Sequence, residues 1–218
     1  MAAPASEARP GRPWRAAAIL LAVAVAGFGL VSLVHEATRD DIEAAARATR
    51  MAKFTEVLRG RRFDNDLLAD AVEVRDAELL GTPAPLRAYR ARLRGEPVAV
   101  VLEAVAPHGY SGAIGLLVGI APDGTVLGVR VTAHRETPGL GDAIELRKSS
   151  WIQRFAGLSL RDPPAQRWRV RKDGGDFDQF TGATVTPRAV VGAVANALVY
   201  FARHRDELLA PPVTIATP

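Results

Sequence analysis

Cysteine is missing from all 218 residues. That single absence excludes disulfides, thiolate zinc sites, Cys-ligated iron–sulfur clusters and Cys nucleophiles, so any redox chemistry here needs a carrier not held by sulfur. It says nothing of compartment, because a Cys-free chain is comfortable on either side of a membrane. Histidine is scarce as well, at 4 residues. The formal net charge of +4 is scattered, with no Lys/Arg block of the kind that marks a nucleic-acid footprint. There is no internal repeat and no G-x-G-x-x-G dinucleotide fingerprint. What the chain does have is apolar material: 48% hydrophobic against 24% charged residues places it among folded proteins, with length for one ordinary domain plus appendages.

The longest apolar run is AAAILLAVAVAGFGLVSLV, Ala16 to Val34, 19 residues without a charge. At about 1.5 Å per helical residue it comes close to the roughly 30 Å hydrocarbon thickness of a bilayer. A buried globular helix seldom lacks a polar side over that length, so the run predicts a transmembrane helix. Arg9, Arg12 and Arg15 precede it against one Glu7, while Glu36, Asp40, Asp41 and Glu43 follow against Arg39. Positively charged flanks stay inside, so the N-terminus is expected in the cytoplasm and the rest of the chain across the membrane. A cleaved signal peptide is the rival, with Ala24-Val25-Ala26 as its cleavage site. Cleavage would leave GFGLVSLV as an apolar new N-terminus, which favours an uncleaved anchor.

Beyond the span, DDIEAAARATRMAKFTEVLRG predicts a helix stopped by Gly60, with Ile42, Ala46, Thr49, Phe54, Val57 and Leu58 on one stripe. Residues 61–85, ending in GTPAP, read as irregular. AYRARL, VAVVLEAVA, GAIGLLVGI and TVLGVRVTAH read as strands joined by the turns RGEP and APDG. AIELRKSSWIQRFAGLSL has helical spacing at Ile144, Trp151, Ile152 and Phe155. RWRVRK reads as a short strand before the turn DGGD, and a closing helix runs from about Pro187 to Leu208 on Val190, Val191, Val194, Leu198 and Phe201. Antiparallel strands with segregated helices predict an α+β domain. The chain thus divides into an N-terminus 1–15, a span 16–34, a helical and irregular connector 35–85, an exported domain 86–208 and a tail 209–218. Trp14 sits where interfacial anchors sit, and Trp151 belongs to a core face.

Two stretches carry chemistry. In DFDQFTGATVTPRAVVGAV, Asp176 to Val194, Thr186 before Pro187 fits an N-cap followed by proline in the first helical turn. That leaves Thr181, Gly182, Ala183 and Thr184 unexplained. Gly and Ala clear bulk beside Thr184, and the helix start behind it offers free N–H groups and a positive dipole end to a phosphate. Spacing leaves both readings open, a plain turn or a cofactor site. In HRETPGLGD, His134 to Asp142, Pro and Gly make a tight loop. His134 with Glu136 could be an acid/base pair or two metal ligands, but with no second ligand cluster the plain structural loop is preferred.

DQFTGAT, Asp178 to Thr184, looks like the Asp-x-x-(Ser/Thr)-Gly-Ala-Thr motif of covalently flavinylated FMN-binding domains. GYSGAIGLLVGI, DGTVLGVRVTAHRETPGLGD and WIQRF together resemble the RnfG family, the G subunits of the Rnf electron-transport complex. They are less close to the related C subunit of the sodium-translocating NADH–quinone reductase. The resemblance covers about residues 15 to 205, with both motifs in the family's order; Thr181 stands where the family often has Ser. It implies an FMN-binding domain over 86–208 whose FMN is joined through its phosphate to the hydroxyl of Thr184 by a flavin transferase that uses FAD as donor. Asp178, Thr181, Gly182 and Ala183 match the surrounding recognition motif, and the glycine loop supplies Glu136, Thr137, Gly139 and Leu140 as candidate flavin contacts. It further implies a single-pass subunit of the bacterial inner membrane, its domain periplasmic, which relays electrons in an ion-translocating ferredoxin/NAD oxidoreductase. Such a subunit has no catalytic residue or substrate turnover of its own, no metal site and no nucleic-acid partner. Its partners are the other membrane subunits and the transferase. Two alternatives remain: the equivalent flavin subunit of an NADH–quinone reductase or another respiratory chain, and a membrane-anchored scaffold without cofactor.

Overall fold

The computed structural model describes residues 13–211. Arg9, Arg12, Glu7 and the tail beyond 211 lie outside the described residues, as do the side chains of Asp40, Asp41, Glu43 and Ala46. The chain forms two compact units, Met1–Arg50 and Met51–Pro218.

The expected span and the helix after it are one helix, α1, Pro13–Leu58. No Gly or Pro occurs between Leu30 and Arg59, so nothing in the sequence interrupts it. It stops where Arg59 and Gly60 turn to positive φ. In the first unit, Trp14–Arg39 has mean hydropathy 2.6 and none of its most apolar window is buried in the protein. Ile19, Leu20, Phe28 and Leu33 all face outward. This is a helix long and apolar enough to cross a membrane.

The second unit is an antiparallel meander of five strands in chain order. They are β1 Ala71–Asp76, β2 Thr82–Leu93, β3 Glu96–Gly109, β4 Gly112–Ile120 and β5 Val126–Ala133. The RGEP turn is tight because Arg94 and Gly95 both take positive φ between the partners Leu93 and Glu96, the requirement of a two-residue type I′ hairpin. Within residues 61–85, expected to be irregular, 71–76 form β1 and 82–85 the start of β2. Pro83 and Pro85 had argued against a strand. They lie in the part of β2 that pairs with β1 alone, where a missing N–H is tolerated.

Side chains alternate across the sheet. Val100, Leu102, Ala104 and Ala106 enter one core, while Ala99 and Val101 enter the other. The first core is covered by α2, Val185–Arg203, a short α3, Arg205–Leu209, and the 3₁₀ turns after β5. The second is covered by Phe54, Val57 and Leu58 from the end of α1, with Leu67. The intervening loop is held by Asp70, whose carboxylate accepts from Arg90 Nε and Arg92 Nε, both at 2.6 Å. α2 is also apolar and long enough to pass a membrane-span test, but half of its window is buried, so it is a core helix.

Two expected elements differ. Ile144, Trp151, Ile152 and Phe155 are buried as their spacing implies, but on two 3₁₀ turns, Gly141–Ile144 and Trp151–Phe155, not on one helix. Ser149 intervenes: its Oγ donates to Ala143 O and accepts from Trp151 N, competing with helical bonding. RWRVRK is not a ladder strand. Trp168 and Val170 are buried and the arginines exposed, which produces the alternation, yet the only pairing is an isolated bridge from Val170 to Phe177.

Candidate flavin-attachment site

The TGAT segment is a turn closed by Ala183 N–H donating to Phe180 O at 3.1 Å. Gly182 occupies its third position with φ +79, the left-handed conformation a type II turn demands there. The turn is hung on an aromatic cluster: Trp151 meets Phe180 edge-on at 5.1 Å, and Phe155 stacks on Phe177 at 4.9 Å. Trp151 Nε1 donates to Asp178 O at 2.7 Å, and the Asp178 carboxylate accepts from Arg154 Nη1 at 2.6 Å. Arg171 pairs with its other oxygen at 3.0 Å.

The helix begins earlier than its Thr-Pro signature suggests. Thr184, in helical conformation, is the N-cap of α2, and Arg188 N–H donates to Thr184 O at 3.3 Å. Thr186 is therefore not the cap. It is fully buried in the first turn, and its hydroxyl donates to Glu136 Oε2. Among the described residues the half-buried Thr184 hydroxyl makes no cap bond and no other hydrogen bond to the protein. Of the two threonines, only Thr184 presents an unengaged hydroxyl. Asp173 grips Arg188 through Nε at 2.5 Å and Nη2 at 2.9 Å, which holds the Asp173 carboxyl below its usual range and fixes the exposed side of the helix start.

HRETPGLGD is folded onto this turn. Leu140 N–H and Gly141 N–H both donate to Thr137 O at 3.1 Å, and Gly139 N–H donates to Asp142 Oδ1 at 2.8 Å. A Cβ placed on Gly182 would lie 3.9 Å from Leu140 Cδ2, so the two loops are in contact. Thr137, Gly139 and Leu140 are exposed, whereas Glu136 is only 4% exposed. Its carboxylate also accepts from Ser111 N–H at 3.0 Å and Tyr110 N–H at 3.3 Å. Leaving such a buried acceptor unpaired costs about 1–3 kcal/mol or more. His134 does not face that carboxylate: its Nδ1 accepts the Glu136 backbone N–H at 3.1 Å, and its Nε2 meets Glu145 Oε1 at 3.0 Å. The acid/base pair considered from the sequence is thus two separate contacts. Among the described residues no cluster of three His, Asp or Glu could hold a metal.

Of the candidate residues, Gly182 and Leu140 bring the two loops together; Thr181, Thr137 and Gly139 are exposed, Ala183 and Thr184 half-buried, Asp178 is paired with arginines and Glu136 is buried. Among the described residues of the second unit three large hydrophobic side chains are exposed: Tyr110 at 72%, Leu140 at 46% and Val185 at 40%. Each belongs to a segment that meets at Glu136 or Thr184. Tyr110, Val185 and Asp142 were missed from the sequence, since nothing local distinguishes an exposed aromatic at a hairpin tip. An apolar surface flanking a free hydroxyl at a helix start fits a phosphate-linked aromatic cofactor.

The fold and site define an FMN-binding domain: the family model of that description matches residues 109–199. A second model, the RnfG N-terminal region, matches residues 13–57. The chain is 54% identical to the G subunit of the ion-translocating oxidoreductase complex of Pseudomonas aeruginosa, over 90% of this chain and 92% of that one. It is 48% identical to the corresponding Vibrio atlanticus protein, over 89% and 93%. The chain belongs to this RnfG family of G subunits. The solved structure of Shewanella oneidensis NqrC aligns with 66% of this chain and 74% of its own, at 23% identity and TM-score 0.47, too loosely to bear on function.

Proposed function

We propose that this chain is the flavin-bearing electron-relay subunit of an ion-translocating oxidoreductase complex, with FMN joined by a phosphoester to Thr184 Oγ1. The observation that carries the attachment is the unengaged Thr184 hydroxyl at the start of α2, beside exposed Val185 and Leu140. Its neighbour Thr186 is already committed to Glu136. With FAD as donor the balance is plain: Thr184 oxygen takes the FMN phosphoryl group, the phosphoanhydride breaks, AMP leaves and the hydroxyl proton passes to the transferase. When bound, the flavin supplies acceptance and release of electrons singly or in pairs. The protein's own residues tether, orient and cover it. Gly182 turns the chain, the free N–H groups of the first helical turn would hold the phosphate, and Tyr110, Leu140 and Val185 would offer apolar surface to a flat ring.

Trp14–Arg39 anchors the chain in the membrane on this reading. By the positive-inside rule the arginines ahead of it favour a cytoplasmic N-terminus and a periplasmic domain at an inner membrane. The other subunits of the complex, which passes electrons between ferredoxin and NAD, and a flavin transferase are its partners. It carries electrons without turning over a substrate alone.

The test is co-expression of the full chain with a flavin transferase, purification in detergent, denaturation and intact mass. Wild type and Thr132→Val, on an exposed strand end, are expected to carry the FMN mass increment, and Thr184→Val none. An increment that survives Thr184→Val, or none in wild type while a positive control is labelled, would refute the attachment and favour a cofactor-free anchored scaffold.

A further inference from the structure

Glu136 links three segments around the site. Its carboxylate accepts from Thr186 in the first turn of α2 and from Tyr110 and Ser111 at the β3–β4 hairpin tip, and its own backbone opens the loop that ends in Leu140. The space around it is cleared: a Cβ on Gly109 would come within 2.9 Å of Oε1, and one on Gly141 within 2.9 Å of both Oε2 and Thr186 Oγ1. His134 pins its backbone from the other side. Among the described residues no Lys, Arg or His pairs with this carboxyl group, so three neutral donors hold it in a buried position. Simple packing would be met at lower cost by an apolar side chain, because a buried carboxyl group is costly unless its hydrogen bonds are all made.

We propose that Glu136 is the positioning residue of the attachment site: through Thr186 it sets the first turn of α2 so that the Thr184 hydroxyl meets the flavin phosphate, and its charge disfavours electron gain by the flavin held there. This rests on the reading of Thr184 above. Thr186 lies two residues beyond Thr184 in the same turn, so releasing its hydroxyl loosens the backbone that carries the acceptor oxygen. Reduction adds negative charge to a flavin, so an ionised carboxylate at this position would lower its midpoint potential and a neutral amide there would raise it.

The experiment compares Thr186→Val, Thr186→Ser and Glu136→Gln in the full chain, following the rate of covalent FMN incorporation with transferase and FAD, and then the midpoint potential of the incorporated FMN. Valine keeps the shape of threonine and loses the hydroxyl, while serine keeps the hydroxyl and loses the methyl. Incorporation is expected to fall about tenfold or more in Thr186→Val and Glu136→Gln and to stay near wild type in Thr186→Ser. FMN in Glu136→Gln is expected at a more positive potential than in wild type. A packing role gives the reverse order, with valine tolerated and serine slow, and that result overturns the proposal, as does an unchanged potential in Glu136→Gln. The threonine pair decides the positioning where Glu136→Gln melts below the assay temperature. Wild type that takes up no FMN sinks the Thr184 reading and this inference with it. Normal wild-type labelling with all three variants alike sinks this inference alone.

Discussion

Thr184 and Thr186 stand in one helical turn, yet one hydroxyl is free at the surface and the other is buried against a carboxylate. Residue type could not separate them, because Thr before Pro is a good cap signature wherever it occurs. The difference arises from what lies opposite, and Glu136 is 50 residues away in sequence. Gly182, by contrast, was legible, since a turn of this kind needs a residue at positive φ. Its conformation, φ +79, leads to a residue-scale prediction. Alanine there meets nothing closer than Leu140 Cδ2 at 3.9 Å, so the cost is backbone strain and not a clash. Gly182→Ala is expected to lose about 1–2 kcal/mol, read as a fall of roughly 2–8 °C in the thermal midpoint, with slower FMN incorporation. An unaltered melting curve would mean that the turn rebuilds itself without left-handed backbone.

Elements whose signals are local were read correctly from the chain: the β2–β3 hairpin at Arg94-Gly95, the β4–β5 hairpin and the body of α2, though the closing helix expected to run to Leu208 breaks at His204 into α2 and α3. Segments 141–155 and 167–172 were not. Their apolar residues are buried as spacing implied, but side-chain bonds such as Ser149 Oγ to Ala143 O replace helical ones, and RWRVRK has no neighbouring strand to pair with. The strap from His134 to Arg147 has its own electrostatic signature. Arg147 donates to Glu145, and His134 bonds its other oxygen, which together hold the Glu145 carboxyl below its ordinary value of 4.5. A carboxyl depressed on folding stabilises the folded state above its unfolded pKa, and that stabilisation is lost as pH falls through the folded value. Thermal midpoints measured from pH 6 down to pH 3, values chosen to bracket the ordinary carboxyl range near 4, should fall less steeply in Glu145→Gln than in wild type. Parallel curves would show that the strap adds nothing to acid sensitivity.

At the scale of the molecule, the end of α1 belongs to the second compact unit and not to the first. Phe54, Val57 and Leu58 are essentially inaccessible and cover the sheet face carrying Tyr89, Ala91, Val101 and Leu117. Burying three such side chains contributes about 5–9 kcal/mol, comparable to the whole stability of many domains. A chain starting at residue 51 is therefore expected to fold and run as a monodisperse species, and one starting at residue 61 to aggregate or bind hydrophobic dye. Equal behaviour on size-exclusion chromatography would contradict that boundary, which the sequence had drawn differently by setting 35–85 apart as a connector.

The sequence by itself determined the apolar helix, the hairpin turns, the α+β class and the TGAT motif with its family resemblance, because each depends on residues within a few positions of one another. Tertiary structure alone decided the contact by which HRETPGLGD lies against TGAT, which the resemblance had only implied, the exposure of Tyr110 and Val185 beside Glu136 and Thr184, and which threonine keeps a free hydroxyl. Those outcomes rest on a buried hydrogen bond from Thr186 to Glu136, and a bond between distant segments forms only once the sheet and α2 have packed.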